Sequence, residues 1–152
     1  MTDPLLHMKA LRAVMKRTGA GDEDIYRDLL ACFNGTPYVR GGSTPDGCDC
    51  SGSVCTTLNI LYRRNIDATA DTLCKRYFTE SDDRDTALCA VFFLNREGRA
   101  VHVAGRLGDD FYMNVSRAET AHAGTIRSYD ELAALYPQFR MIFRSLRKGA
   151  WR

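Results

Sequence analysis

The sequence predicts an α+β fold, and three observations carry that expectation. Helical periodicity fills roughly the first 64 residues, strand-like runs fill most of the chain from residue 88 onward, and tight-turn signals join consecutive strands. Helices first and antiparallel strands second is the α+β order, not the alternation of a parallel sheet. With 152 residues, 45% hydrophobic and 26% charged, the chain can bury one core without staples. No repeat, low-complexity segment or Pro/Gly/Ser-rich linker divides it, so residues 1–152 are read as one domain with a helical extension over 1–20.

Residues 4–18 place Leu5, Met8, Leu11, Val14 and Met15 at helical spacing, and Gly19 stops them. A second helix is expected from Asp22, read as its cap, through Ile25, Leu29, Leu30 and Phe33 to Asn34-Gly35. The Gly, Pro, Thr and Ser content of 36–49 predicts an irregular loop. From Ser51 the spacing of Val54, Cys55, Leu58, Leu61 and Tyr62 predicts a third helix ending near Arg64, with Cys50 at its N-terminus. Residues 65–86 are a polar connector with a helical turn over Leu73 to Phe78. LCAVFFLN (88–95), REGR (96–99) and AVHVAGRL (100–107) read as strand, turn, strand. A Gly108-Asp109-Asp110 turn then leads to the strand FYMNVS (111–116). TIRSY (125–129) is a short strand, YDELAALY (129–136) a short helix and FRMIFRSL (139–146) the last strand.

A formal charge of +2 is too small to call for nucleic acid, and the basic bias of Arg140, Arg144, Arg147, Lys148 and Arg152 reads as a solvated surface. No run approaches the roughly 18 apolar residues of a membrane span. The start has no charged segment leading into an unbroken apolar one, so synthesis in a reducing cytoplasm without a leader is expected, with all six cysteines as thiols.

The cysteines pose the functional question, above all in GCDCSG (47–52). Cys48, Cys50 and Cys55 give C-x-C-x4-C, but no second pair and no H-x3–5-H spacing follow, so no metal and no cofactor are expected. A nucleophile fits better. A thiol attacks as thiolate, and a helix N-terminus, where Cys50 falls, favours that negative charge and should lower the pKa. Ser51 and Gly52 leave the sulfur accessible, and the Cys50 N–H with a neighbouring donor could form an oxyanion hole. Cys48 and Cys55 read as small buried hydrophobes. His102, mid-strand in AVHVAG, is the base that such a thiol requires, while His7 and His122 read as surface residues. Asn114, on the adjacent strand, is the candidate to orient the imidazole, with an exposed polar position as the equal alternative.

These residues resemble a known family. TPYVRGGSTPDGCDCSG is similar to the signature loop of the NlpC family of bacterial cell-wall cysteine peptidases, Pro-Tyr-x-x-Gly-Gly followed by Asp-Cys-Ser-Gly. AVFFLN, VHVAG and YMNVS match its second block, so the likeness covers 36–116. The resemblance implies a papain-like fold and hydrolysis of a peptide bond in peptidoglycan stem peptides, commonly between γ-D-glutamate and a diamino acid. It makes Cys50 the nucleophile, His102 the base and acid, and Asn114 the orienting group. Tyr38 would line the site, and Asp49 and Ser51 would hold the substrate's free amine. Arg40 and Cys48 depart from the aromatic residues usual at those positions, and Asn114 from the more frequent His. A wall enzyme without a leader implies a phage lysis or tail enzyme, or an effector exported by a secretion machine. The alternatives are another papain-like amidase or acyltransferase, and a catalytically silent phage tail or interaction module.

Overall fold

A computed structural model of the chain describes residues 3–80, 88–147 and 149. Lys148 and Arg152 of the basic tail, and part of the 65–86 connector, lie outside them. Helix α1 (Pro4–Arg17) starts where predicted, with Asp3 Oδ1 accepting from the Leu5 N–H at 2.9 Å and proline at its first position. Helix α2 (Asp22–Ala31) is capped by Gly21 and not by Asp22, which joins Glu23 and Asp24 as the acidic first turn that favours a helix N-terminus. Helix α3 (Cys50–Tyr62) ends at Arg63, in a left-handed conformation with φ 54°. Its long buried face carries Val54, Cys55, Leu58 and Leu61, and α1 is tied to it by Arg12 Nε donating to the Leu61 carbonyl at 3.0 Å.

Two segments depart from expectation. The 36–49 loop contains a minimal hairpin, β1 (Ser43–Thr44) with β2 (Gly47–Cys48), which sets the approach to α3. After the short α4 (Ala70–Thr72), residues Leu73–Tyr77 form a π-helical turn that runs directly into an unforeseen strand, β3 (Phe78–Glu80).

The remaining strands are β4 (Cys89–Leu94), β5 (Ala100–Gly108), β6 (Phe111–Asn114), β7 (Thr125–Ser128) and β8 (Arg140–Leu146), with α5 (Tyr129–Leu135) between the last two. They form an antiparallel sheet in the order β3-β8-β4-β5-β6-β7. Every residue of β4 is buried, because helices cover both faces: Phe92 faces the α1 to α3 core, and Phe93 faces a smaller cluster with Leu132 and Tyr136. Coverage of both faces accounts for the unbroken apolar run in place of alternation. On β5, Gly105 is the point of closest approach of α2, since a Cβ there would meet the Leu30 side chain.

The β4–β5 pairing positions the site. Phe92 pairs with Val103 and Phe93 with His102, but Leu94 pairs with Ala100, so Val101 is an extra residue in a bulge beside His102. Bulges bend a strand and re-aim its side chains. His102 thereby shares a face with Phe93, while Val103 faces the α3 core with Phe92.

Candidate active site

Asp49 builds the start of α3. Its Oδ1 accepts from the Gly52 N–H at 2.7 Å and from Ser51 Oγ at 3.4 Å, and its Oδ2 accepts from the Gly41 N–H at 2.9 Å. The carboxylate is thus the N-cap of the helix and the tie that holds the 41–42 loop against it. Gly52 is required for that approach: an added Cβ would strike the Gly42 carbonyl oxygen and the Asp49 carboxylate. Asp49 and Ser51 also line a cavity of about 790 Å³ that runs along α3 toward Ile66, with Leu5 and Arg12 of α1 as its opposite wall. Cys48 is fully buried and Cys55 nearly so, as small core residues.

Cys50, the first residue of α3, carries its sulfur to the sheet. The backbone amides of Val103, Ser51 and Cys50 lie around Sγ. The residue remains partly exposed, yet its surroundings are crowded. Burial pushes the thiol up to about 11, the Asp49 charge adds to the rise, and the nearby backbone amides of Val103, Ser51 and Cys50 offset only part of it. The expected lowering by the helix N-terminus is therefore outweighed by desolvation, and the resting group is the thiol.

His102 stands on the face of the sheet away from α3, in an aromatic box: its ring centroid lies 5.0 Å from Phe93 and 4.8 Å from Tyr136. The thiol sits at the start of α3, close to the amide of Val103, the residue next to His102, and near enough to Tyr136 to bear on its phenol, whose pKa is raised mainly by burial. Burial holds His102 down at about 4, against the smaller upward pull of Asn114 and of the Glu119 charge. The resting pair is a neutral thiol and a neutral imidazole.

Asn114 is fully buried, which rules out the exposed polar position. Its Oδ1 lies 2.6 Å from His102 Nε2, and its Nδ2 donates to Glu119 Oε2 at 2.7 Å and to the Tyr136 hydroxyl at 3.2 Å. Glu119, only 1% exposed, is in turn bound by Arg127, with Nη2 at 2.6 Å from Oε1. Tyr38 pairs with Cys48 in an isolated bridge and feels the Cys50 and Asp49 charges, so it lies at the site, with the Arg117 guanidinium 6.0 Å from its ring centre. His7 and His122 are exposed, as expected.

The structure thus joins Cys50, Tyr38, Asp49 and Ser51 around the start of α3, and His102 and Asn114 across β5 and β6. Tyr136, Glu119 and Arg127 were not foreseen. Glu119 lies in the polar stretch RAETAHAG, where an acid reads as surface, and Tyr136 reads as the end of an amphipathic helix. Among the described residues, no group of three or more His, Cys, Asp or Glu is placed to hold a metal, and no helix is long and apolar enough to cross a membrane.

Three solved structures are similar over 84% of this chain. NlpC1 and NlpC2 from Trichomonas vaginalis superpose with TM-scores of 0.67 and 0.68 at 20% and 21% identity, and this chain spans only 45% and 47% of their lengths. The NlpC/p60 domain of the peptidoglycan hydrolase SagA superposes with a TM-score of 0.62 at 21% identity and is covered completely. No curated protein matches the chain. These likenesses confirm the papain-like α+β fold, and the NlpC/P60 family model matches residues 35–140, most of the chain and all the site residues named above. The chain belongs to the NlpC/P60 family.

Proposed function

We propose that this chain is a cysteine peptidase that hydrolyses a peptide bond in peptidoglycan stem peptides, the bond being that between γ-D-glutamate and a diamino acid. The observation that carries the reading is the buried His102–Asn114 hydrogen bond, one residue from the Val103 amide that lies beside the Cys50 sulfur. Because both reacting groups rest neutral, His102 takes the thiol proton as the sulfur attacks the scissile carbonyl, and no standing ion pair is required. The Cys50 N–H, with a neighbouring donor, serves the developing oxyanion. Collapse expels the diamino acid amine, which His102 protonates, leaving a thioester. Water, deprotonated by His102, then releases the acyl group as a carboxylate and restores the thiol. The Arg117 guanidinium beside Tyr38 suits the free α-carboxylate that a γ-linked glutamate presents.

Digestion of defined muropeptides by wild type and Cys50→Ala, with products identified by mass, tests the proposal. Cleavage on the carboxyl side of γ-D-glutamate by wild type alone is expected. Release of ammonia or transfer of an acyl group without chain cleavage would favour amidase or acyltransferase chemistry, and absence of any turnover a non-catalytic module.

A further inference from the structure

The residues behind Asn114 fix a choice that its shape leaves open. A carboxamide can be reversed with almost no steric change, presenting either its oxygen or its NH₂ to His102. Two of its neighbours cannot decide the matter. The imidazole accepts or donates according to tautomer, and the Tyr136 hydroxyl, which Asn114 Nδ2 approaches at 3.2 Å and Oδ1 at 3.5 Å, can also serve either way.

Glu119 has no such freedom. Arg127 donates only, and it places Nη2 at 2.6 Å and Nε at 3.1 Å from Oε1, with Nε also 3.2 Å from Oε2. A carboxylate so paired only accepts. Its Oε2 takes the Asn114 Nδ2 hydrogen at 2.7 Å, so Oδ1 must face His102. Nε2 of His102 must then carry the hydrogen, and Nδ1 keeps the lone pair.

We propose that Glu119, held by Arg127, is the positioning residue that sets the tautomer of His102 through Asn114. Each link from guanidinium to carboxylate to carboxamide to imidazole has one permitted direction, and the charged end supplies it. The nitrogen left unprotonated is the one available to receive the thiol proton. This inference rests on the reading of His102 as the base of Cys50, but the tautomer is observable without turnover.

The test is ¹⁵N NMR of protein labelled at histidine, recorded near pH 7.5, where His102 is neutral, alongside stem-peptide cleavage. Wild type should show the Nε2–H tautomer. Glu119→Gln keeps the shape, but Arg127 claims the new amide's oxygen and turns its NH₂ toward Asn114. Asn114 then reverses, His102 shifts to the Nδ1–H form, and kcat falls at least about 10²-fold, because a wrong tautomer disables a base whose geometry is intact. Adding Arg127→Leu to Glu119→Gln lets the amide turn its oxygen back, so the Nε2–H form returns and at least tenfold of the lost rate is recovered. Glu119→Ala, which removes the acceptor and imposes no donor, should give a mixture of tautomers. An unchanged Nε2–H spectrum in Glu119→Gln, or a double variant no different from the single one, would overturn the proposal. If the tautomers respond as stated while wild type cleaves no stem peptide, the functional reading fails and the positioning role stands.

Discussion

His102 Nε2 and Asn114 Oδ1 lie 2.6 Å apart, both residues buried and on the same face of adjacent strands. The bond orients an imidazole that Phe93 and Tyr136 already confine. Asn114→Ala should therefore lower kcat by about 10²- to 10⁴-fold, the usual span of a general acid–base contribution, with little change in KM. Steady-state kinetics on a defined stem peptide check this, and a rise in KM at constant kcat would place Asn114 in substrate binding instead.

Burial holds His102 at about 4, below its ordinary 6.5. Between those values the unfolded chain binds a proton that the native protein does not, so stability rises with pH across the window and falls as pH drops through it. The shift corresponds to about 3 kcal/mol at most. Urea midpoints should be lower at pH 4.5 than at pH 7 by more in wild type than in His102→Leu. The acid limb of kcat/KM should likewise lie near 4, and a limb near 6.5 would contradict a desolvated imidazole.

The three hydrogen bonds to the Asp49 carboxylate make it a structural cap as well as a wall of the cavity beside α3. Asp49→Ala should cost about 1–2 kcal/mol, the upper range for loss of an N-cap. Asp49→Asn retains the Oδ1 acceptor and should cost a fraction of that. Equal urea midpoints for Asp49→Ala and wild type would remove the cap from the account.

Arg117 stands with its guanidinium 6.0 Å from the centre of the Tyr38 ring. Arg117→Ala should raise KM about tenfold or more for stem peptides with a free glutamate α-carboxylate, as expected for loss of a charged hydrogen bond. Substrates amidated at that carboxylate should be affected less, and equal effects on both would assign Arg117 to the protein surface.

Much of this was legible because local signals agreed with the fold. The α1, α2 and α3 spacings and the β4–β5–β6 turns all follow from short-range rules. Cys50 and His102 could be named because nucleophile and base types are few. Strand β3 was missed since its Phe78 finds its reason in a pairing with Leu146, far along the chain. Glu119 and Arg127 were missed for a related cause: only the closing of the 117–122 turn under β6 and β7 buries the acid, and no periodicity marks it. The sign of the Cys50 shift also lay outside the sequence, because the helix N-terminus is visible in the chain and the degree of burial is not.

The central claim is that His102 activates the Cys50 sulfur, and alkylation tests it most directly. Iodoacetamide labelling from pH 5 to 10, mapped by mass spectrometry, should find Cys50 the fastest of the six cysteines below pH 8 in wild type. In His102→Ala, where no base takes the proton of the neutral thiol during attack, that advantage should vanish. Identical Cys50 profiles in the two proteins would contradict the account.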